Sequence, residues 1–448
     1  MLRTSLLLTL VLFTCTRVWS QEDTTSNQTT TPTDNSQMSV PPPVSAESYP
    51  TVTGSEEKSN YLRTGVTLSS TYSDNILGGV NPNPVSDESY SIWPYISLDE
   101  ATPRLHSVLN FSPGFTFYQH TNDRDEADEN VALNFSYRFS PHVTLSLVDS
   151  LRKSSTLVNQ ANLFGNPAFG AGQVSPVTVL APVADQLSNA GTAQLSYQFG
   201  PNAMVGMSGT FSNLHYSNSA EVPGLYDSGS RGGSIFYTHR LSGRHYVGAT
   251  YQYQDLLAYP TGFRAETQTH AVTVFYTLYV THAFSLSMFG GPQYSNSNAS
   301  IFPAVHTWSP TTGASLSWQG QRTNLALTYS HIIAPGGGLI GAVHEDAGGL
   351  SLRRQLSASM SGGVQLSYAN NKLLDPILAS QFGGYATNGH TIAGTASIQR
   401  QLGAHFALGL NYSRLHQNYS NIAAIAGAPD TNMGTISISY QFAKPLGR

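Results

Sequence analysis

From Tyr61 onward, apolar and polar residues alternate one by one. Over Asn130 to Phe139, Val131, Leu133, Phe135, Tyr137 and Phe139 share one face, and Ala132, Asn134, Ser136 and Arg138 share the other. The same period holds for Ala193 to Phe199, Val247 to Gln254, Phe406 to Ser413 and Thr435 to Phe442. A helix would repeat its apolar residues at three- and four-residue steps, whereas a strand points successive side chains to opposite faces. Each run is about 10 residues, the length a tilted strand needs to cross hydrocarbon. A soluble sheet also alternates, but its wet face normally carries Lys and Glu. Here only 10% of residues are charged, against about 25% in an ordinary soluble domain. The polar faces are built instead from Ser, Thr, Asn, Gln and Gly. A helical membrane protein is excluded, because no run of about 20 apolar residues exists. The net charge of −5 gives no basic surface for nucleic acid.

The connections alternate as well. Tight polar turns fall at Ser140-Pro141, Gly200-Pro201-Asn202, Ser242-Gly243, Thr281-His282, Gly320-Gln321, Leu356-Ser357 and Gly403, and longer loops near residues 73–89, 156–187, 216–230, 334–346, 371–387 and 418–430 lie between the hairpins. Short turns on one side and long loops on the other mark an outer-membrane barrel. The reading is an all-β, transmembrane, antiparallel up-and-down barrel of about 18 strands over residues 59–448, both termini on the short-turn, periplasmic side. It implies the outer membrane of a Gram-negative-type bacterium. The partners expected are outer-membrane lipid and lipopolysaccharide, the barrel insertion machinery, and components of polysaccharide export.

The N-terminus reads as a signal peptide over residues 1–20. Arg3 supplies the positive region, Leu6 to Phe13 the short apolar core, and Val18-Trp19-Ser20 a small-residue cleavage site. Lipoprotein processing at Cys15 is disfavoured by Phe13 and Thr14. Cleavage after Ser20 leaves a mature chain without cysteine, hence without disulfides or thiol chemistry. Residues 21–58 are rich in Ser, Thr, Pro, Gln and Asn. Such a segment buries too little apolar surface to offset its ordering entropy and reads as a disordered periplasmic linker.

Three downward strands end alike, in Ser136-Tyr137-Arg138-Phe139, Ser196-Tyr197-Gln198-Phe199 and Ser439-Tyr440-Gln441-Phe442. Aromatics two apart on the lipid face form a girdle where a ring is buried and a phenol meets headgroups. Phe211, Tyr251, Tyr253, Tyr329, Tyr368 and Tyr412 are expected nearer the outer rim. The last strand resembles the C-terminal assembly signal of outer-membrane proteins, although Ala443 to Arg448 follow its final aromatic.

Thr71-Tyr72-Ser73-Asp74-Asn75-Ile76, Pro94-Tyr95-Ile96-Ser97-Leu98, Pro103-Arg104-Leu105 and Ser112-Pro113-Gly114-Phe115-Thr116-Phe117-Tyr118 resemble motifs of the β-barrel porin 2 family of outer-membrane proteins. The resemblance covers residues 61–155 best. It implies a porin-type barrel linked to exopolysaccharide export. Asp74 and Asn75 read as a turn cap at the top of the first strand.

Candidate chemistry is sparse. Tyr329-Ser330-His331 puts Ser and His on opposite faces, so the two cannot form a nucleophile–base pair alone. The histidines lack a metal-ligand spacing. Asp123, Asp125, Glu126, Asp128 and Glu129 lack the glycine-centred pattern of a calcium loop and read as solvated surface. No catalytic residue, cofactor or metal is expected. The long connection Thr156 to Leu187 is the best functional candidate: Asp185 is its only charge, and an apolar loop this long would be adhesive if exposed. It is expected to fold into the lumen, with Phe164, Phe169, Leu180 and Asp185 as pore constriction. Asn134, Ser136, Gln194, Gln252, Gln365, Asn411 and Gln441 are expected to line the lumen. Arg104, Arg138, Arg240, Arg353 and Arg400 are expected at the periplasmic mouth. The leading functional reading is a passive conduit for neutral solutes or an exopolysaccharide-export porin. The alternatives are a closed structural or surface-interaction barrel and a barrel hydrolase. Processing is directly testable: the mature N-terminus should be Gln21, and the folded protein should run heat-modifiably on gels from outer-membrane fractions. Recovery as a soluble periplasmic monomer would refute this reading.

Overall fold

Alternation is realised as eighteen strands. The computed structural model describes residues 60–76, 83–121, 125–154, 179–180, 184–218, 224–260, 262–299, 303–375, 388–419, 422 and 430–446. The strands are β1 (Tyr61–Ser73), β2 (Asp87–Ala101), β3 (Leu105–Tyr118), β4 (Glu126–Ser140), β5 (Val143–Ser154), β6 (Gln186–Gly200), β7 (Ala203–Tyr216), β8 (Asp227–Arg240), β9 (His245–Tyr259), β10 (Ala265–Thr281), β11 (Phe284–Ala299), β12 (Val305–Gln319), β13 (Thr323–Ala334), β14 (Val343–Ser357), β15 (Met360–Leu373), β16 (Asn388–Gln401), β17 (Phe406–Tyr419) and β18 (Asp430–Pro445).

Each strand pairs antiparallel with its neighbours in sequence, and β1 pairs with β18, so the sheet closes without an edge. Closure leaves no ladder group facing lipid unpaired for want of a neighbour. Followed pair by pair around the sheet, the register slips by about 22 residues, which for this strand number requires a tilt of about 40°. The turns at one end are short and polar. Ser140 Oγ, for example, accepts from the backbone N–H groups of His142 (3.2 Å) and Val143 (3.1 Å). Gly403, with φ of 134°, occupies a backbone region open mainly to glycine in the β16–β17 turn.

The two faces differ as alternation requires. Ile235, Val272, Val274, Leu410 and Ile436 project outward and are exposed, whereas Thr71, Ser91, Thr250, Thr273, Ser330 and Ser413 point inward and are buried. Near the short turns the outward rings pack side by side, Tyr137 against Phe139 at 5.0 Å and Phe406 against Tyr440 at 5.1 Å between centroids. Nearer the other end, Tyr251 contacts His270 and Tyr294 contacts Trp308 (5.2 Å). An apolar band between aromatic girdles is the surface of a barrel solvated by lipid.

The strands run past their sequence-read outer limits. β8 begins at Asp227 and β14 at Val343, inside segments read as loops. There the outward positions are polar, Asp227 and Arg231 on β8 and His344 and Asp346 on β14, so the apolar half of the alternation disappears although the ladder continues. The C-terminal strand also continues beyond Phe442, because Ala443, Lys444 and Pro445 pair with Arg63, Leu62 and Tyr61.

Asp74 and Asn75 do more than cap a turn. Asp74 Oδ1 accepts from the Asn432 backbone N–H (2.7 Å) and Oδ2 from its side-chain amide (2.7 Å), while Asn75 Nδ2 donates to the Asp430 carbonyl (2.9 Å). The pair staples the β1–β18 seam at its outer end. Asp74→Ala should therefore weaken seam closure by about 1–3 kcal/mol, lowering the temperature of the heat-modified gel shift. An unchanged transition would assign the staple no part in closure.

Candidate functional site

The inward face forms a wall of short polar side chains. Asn134, Ser136, Gln194, Gln252, Gln365, Asn411 and Gln441 all lie on it, in alternation with outward apolar neighbours. Hydroxyls pair across strands, Ser91 with Thr116 (3.0 Å), Ser208 with Ser234 (2.8 Å), Thr267 with Ser297 (3.0 Å) and Thr277 with Ser287 (2.9 Å). At the short-turn mouth Arg138, Arg240 and Arg353 point inward, and Arg104 sits in the β2–β3 turn, where its carbonyl accepts from the Arg138 N–H (2.8 Å). Arg400 is a correction: it shares the outward face with Ile398 and lies opposite Met360 and Leu408. The parity of Ile398 already carried this signal. Arg63 and Asp99, which sequence reasoning missed, also point inward at this mouth.

The outer mouth is different. The β13–β14 connection, Pro335 to Ala342, is buried along its whole length. Leu339 packs in one cluster with Leu214 and Tyr216 at the top of β7, Leu225, Leu415 and Tyr419 on β17, Val179, Leu180 and Ile422. Ile340 packs with Ala258, Ala265, Ala299 and Leu373, from β9, β10, β11 and β15. In a closed eighteen-stranded wall, β7 and β17 stand on opposite sides. Residues touching the inner faces of both therefore cross the lumen.

Backbone hydrogen bonds tie this bridge to its surroundings, among them the Leu374 N–H to the Ala342 carbonyl (2.9 Å). The Tyr226 N–H donates to the Gly338 carbonyl (2.9 Å) and the Val179 N–H to the Gly337 carbonyl (3.3 Å). The Leu180 N–H donates to Gln417 Oε1 (3.2 Å), and Gln417 Nε2 donates back to the Leu180 carbonyl. The amide of Gln417 thus grips both backbone groups of one residue from the third outer connection. The glycines are required sterically. Gly338 has φ of 106°, and a Cβ there would lie 2.6 Å from Tyr216 Oη. At Gly336 a Cβ would lie 2.2 Å from the Gly341 carbonyl oxygen. The available signal was the run Pro335-Gly336-Gly337-Gly338-Leu339-Ile340-Gly341-Ala342, a loop with no polar side chain, which must be covered.

Of the four expected constriction residues, Leu180 is wholly buried in the bridge. Asp185 lies below it: its N–H donates to Asn218 Oδ1 (2.9 Å) and its carbonyl accepts from the Ser217 N–H (2.9 Å), tying the foot of the connection to the β7–β8 loop. Phe164 and Phe169 lie outside the described residues. The acidic run disperses: Asp125 accepts from the Tyr118 N–H (2.8 Å), Asp128 is buried on the inward face, and Glu129 points outward opposite Lys153. Among the described residues no three His, Cys, Asp or Glu side chains converge as a metal site. His331 bonds Asp346 (2.7 Å) on the outward face, while Ser330 is buried facing inward.

Replacing Gln417 with Ala removes both contacts to Leu180, worth about 1–3 kcal/mol of bridge stability. Single-channel conductance should rise, and Gly338→Ala should raise it independently. Unchanged conductance in both variants would place the bridge off the conduction path.

No protein-family model matches the chain, and no curated protein matches it. The likeness to the β-barrel porin 2 family therefore rests on the quoted motifs. Solved structures similar to this barrel include Pseudomonas aeruginosa OpdK with vanillate, at 10% identity and a TM-score of 0.39, covering 86% of this chain and 99% of that one. Acinetobacter baumannii OccAB2 is 11% identical with a TM-score of 0.41, covering 85% and 98%. Pseudomonas aeruginosa OccK2 is 10% identical with a TM-score of 0.42, covering 86% and 98%. At such values the likeness carries nothing about solute or activity.

Proposed function

We propose that the protein is an outer-membrane barrel that conducts small, uncharged, hydroxyl-rich solutes past a constriction built from its outer connections. The observation that carries this reading is the combination of an inward wall lined by Ser, Thr, Gln and Asn with the bridge at Pro335 to Ala342 that narrows one mouth. Such a wall offers donors and acceptors without a strong field. Inward charges are few, and the two mouths lean to opposite signs: Arg63, Arg138, Arg240 and Arg353 with Asp99 at one, Asp87, Glu126, Asp128 and Glu345 with Arg152 at the other. Rings of one sign select ions by sign; two mouths of opposite net sign offset one another.

The wider placement belongs to the same proposal. The N-terminal tail lies in the periplasm, and the insertion machinery engages β18. Above the upper girdle, outward ion pairs such as Arg231 with Asp255 (2.8 Å) and Arg414 with Asp430 (3.2 Å) offer charge to lipopolysaccharide headgroups. Hydroxyl-rich cargo is consistent with a place in polysaccharide export. A second reading, a closed barrel serving as a surface or structural element, is favoured by the dryness of the bridge, whose cluster buries Leu180, Leu214, Val343 and Ile422 completely.

Reversal potentials under a salt gradient should lie near zero, and liposomes carrying the protein should swell with sugars up to a size cut-off. Strong selectivity for one ion sign without sugar entry would refute the solute class. Absence of any current from wild type, with current from Gln417→Ala, would favour the closed barrel. Loss of surface polysaccharide on gene deletion would support the export role.

A further inference from the structure

The inward face carries rings as well as small polar side chains: Phe236, Phe275 and Phe289 each lie over a glycine of the adjoining strand, and on β2 two rings that carry a polar atom stand close together. Trp93 and Tyr95 sit two apart on the lumen face, among Ser89, Ser91 and Ser97. Each lies flat against the wall over a glycine of the adjoining strand. A Cβ at Gly114 on β3 would come within 2.4 Å of the Trp93 indole, and one at Gly65 on β1 within 2.6 Å of the Tyr95 ring. The absent side chains are what let the rings recline, leaving the opposite ring faces toward the lumen; both residues are half-buried.

The backbone beside them is weakened. Register pairing between β2 and β3 runs to Ile92 with Phe115 and resumes at Ile96 with Phe111. Pro94 and Pro113 lie in that gap, and neither carries an N–H for the ladder. The Pro94 carbonyl accepts instead from Ser112 Oγ (3.2 Å), an inward hydroxyl. The two prolines thus open the ladder beside the rings and leave the Pro94 carbonyl to a lumen-facing hydroxyl. Around them stand the Ser91–Thr116 hydroxyl pair (3.0 Å), Ser112 and Arg63, whose charge acts on Tyr95.

We propose that Trp93 and Tyr95 form a stacking platform for the pyranose rings of a neutral oligosaccharide in transit. A pyranose has an apolar C–H face that matches an aromatic ring and a rim of hydroxyls that matches Ser91, Ser112 and Thr116. An aromatic surface with a few fixed polar groups is the usual composition of a specific small-molecule site. A planar aromatic solute would use the rings but not the hydroxyl rim. The proposal deepens the conduit reading and rests on it for transit, but the platform itself is measurable without conduction.

Trp308 and Trp318 both project outward, and Trp19 lies in the leader segment. In the mature chain carrying Trp308→Phe and Trp318→Phe, Trp93 is therefore the sole tryptophan and reports from the lumen. Titrating the detergent-solubilised barrel with maltohexaose should shift and saturate its emission. Tyr95→Ala in that background should weaken the apparent affinity about tenfold. In bilayers, maltohexaose should interrupt the wild-type current, Trp93→Ala should abolish the interruptions, and Trp93→Tyr should restore them in part. Each variant must retain heat-modifiable migration, which separates loss of the platform from loss of the fold. A conducting channel whose Trp93 emission and current ignore maltohexaose would overturn the platform while leaving the conduit reading intact. A response to benzyl alcohol but not to maltohexaose would overturn it in favour of an aromatic solute. A saturable emission change in a barrel that carries no current would support the platform and refute the conduit.

Discussion

Backbone hydrogen bonding in a medium that offers none is the constraint on which the rest of this structure depends. Every lipid-facing N–H and C=O must find a partner within the protein, and the pairing of β1 with β18 removes the edge that would otherwise violate this. Closure also explains the composition. With lipid solvating the outer face and small hydroxyls along much of the lumen, charge gathers toward the two ends, Asp149 opposite Leu133 being a mid-strand exception. The seam bears the closure, and its outer end is bonded through side chains as well as the ladder: Asp74 accepts twice from Asn432, and Asn75 reaches Asp430.

The interior follows different physics. A wall of this strand number and tilt is roughly 35 Å across its backbone, too wide for any small solute to touch opposite sides. Narrowing has to come from connections that enter the lumen. The bridge does so with almost no polar side chains, because a wet, exposed Leu339, Leu180 or Ile422 would forfeit about 1.5–3 kcal/mol each. Apolar packing supplies its cohesion, and the glycines at 336 and 338 supply the close approach. Gln417 adds direction, holding the Leu180 backbone to the β17 wall.

Fold class, strand number and inward parity were legible because the alternation is a direct consequence of strand geometry in lipid. Outer strand limits were not, since alternation is only visible where one face is apolar; Asp227 and Arg231 are as outward as Ile235, but stand above the hydrocarbon. The third outer connection is expected in the lumen from its apolarity; of its described residues, Val179, Leu180 and Ala184 are buried. The partner it meets was not foreseen, because residues 334–346 read only as one outer loop among several, and nothing in their order says which other connection they meet. Arg400 was misplaced by counting charges near turns without tracing parity from Ile398. Tyr95 stands out in the sequence only as part of a motif, and Trp93 not at all. Their inward direction is fixed by Ile92 and Ile96 on the other face, and their posture by glycines on the two flanking strands, which no single-strand pattern contains.

The placement of proline sharpens what the wall is for. Pro94 stands in the gap of the β2–β3 ladder beside Trp93, and Pro292 pairs in register with Pro310 between β11 and β12. Those strand pairs are half the barrel apart. At the second site, too, an inward ring lies over a glycine, Phe289 over Gly313 with 2.3 Å to a Cβ built there. A sheet selected only for closure would keep every ladder donor, since each one lost in lipid is costly. Inward rings lie over glycines elsewhere too, Phe236 over Gly206 and Phe275 over Gly248, without proline beside them, so the recurring device of the wall is the ring laid over a glycine, and proline accompanies it at two opposed places. Selectivity in this barrel is then divided between elements of different rigidity. The connections set the width, and the wall, through its reclining rings and hydroxyl pairs, sets the chemistry a passing solute meets.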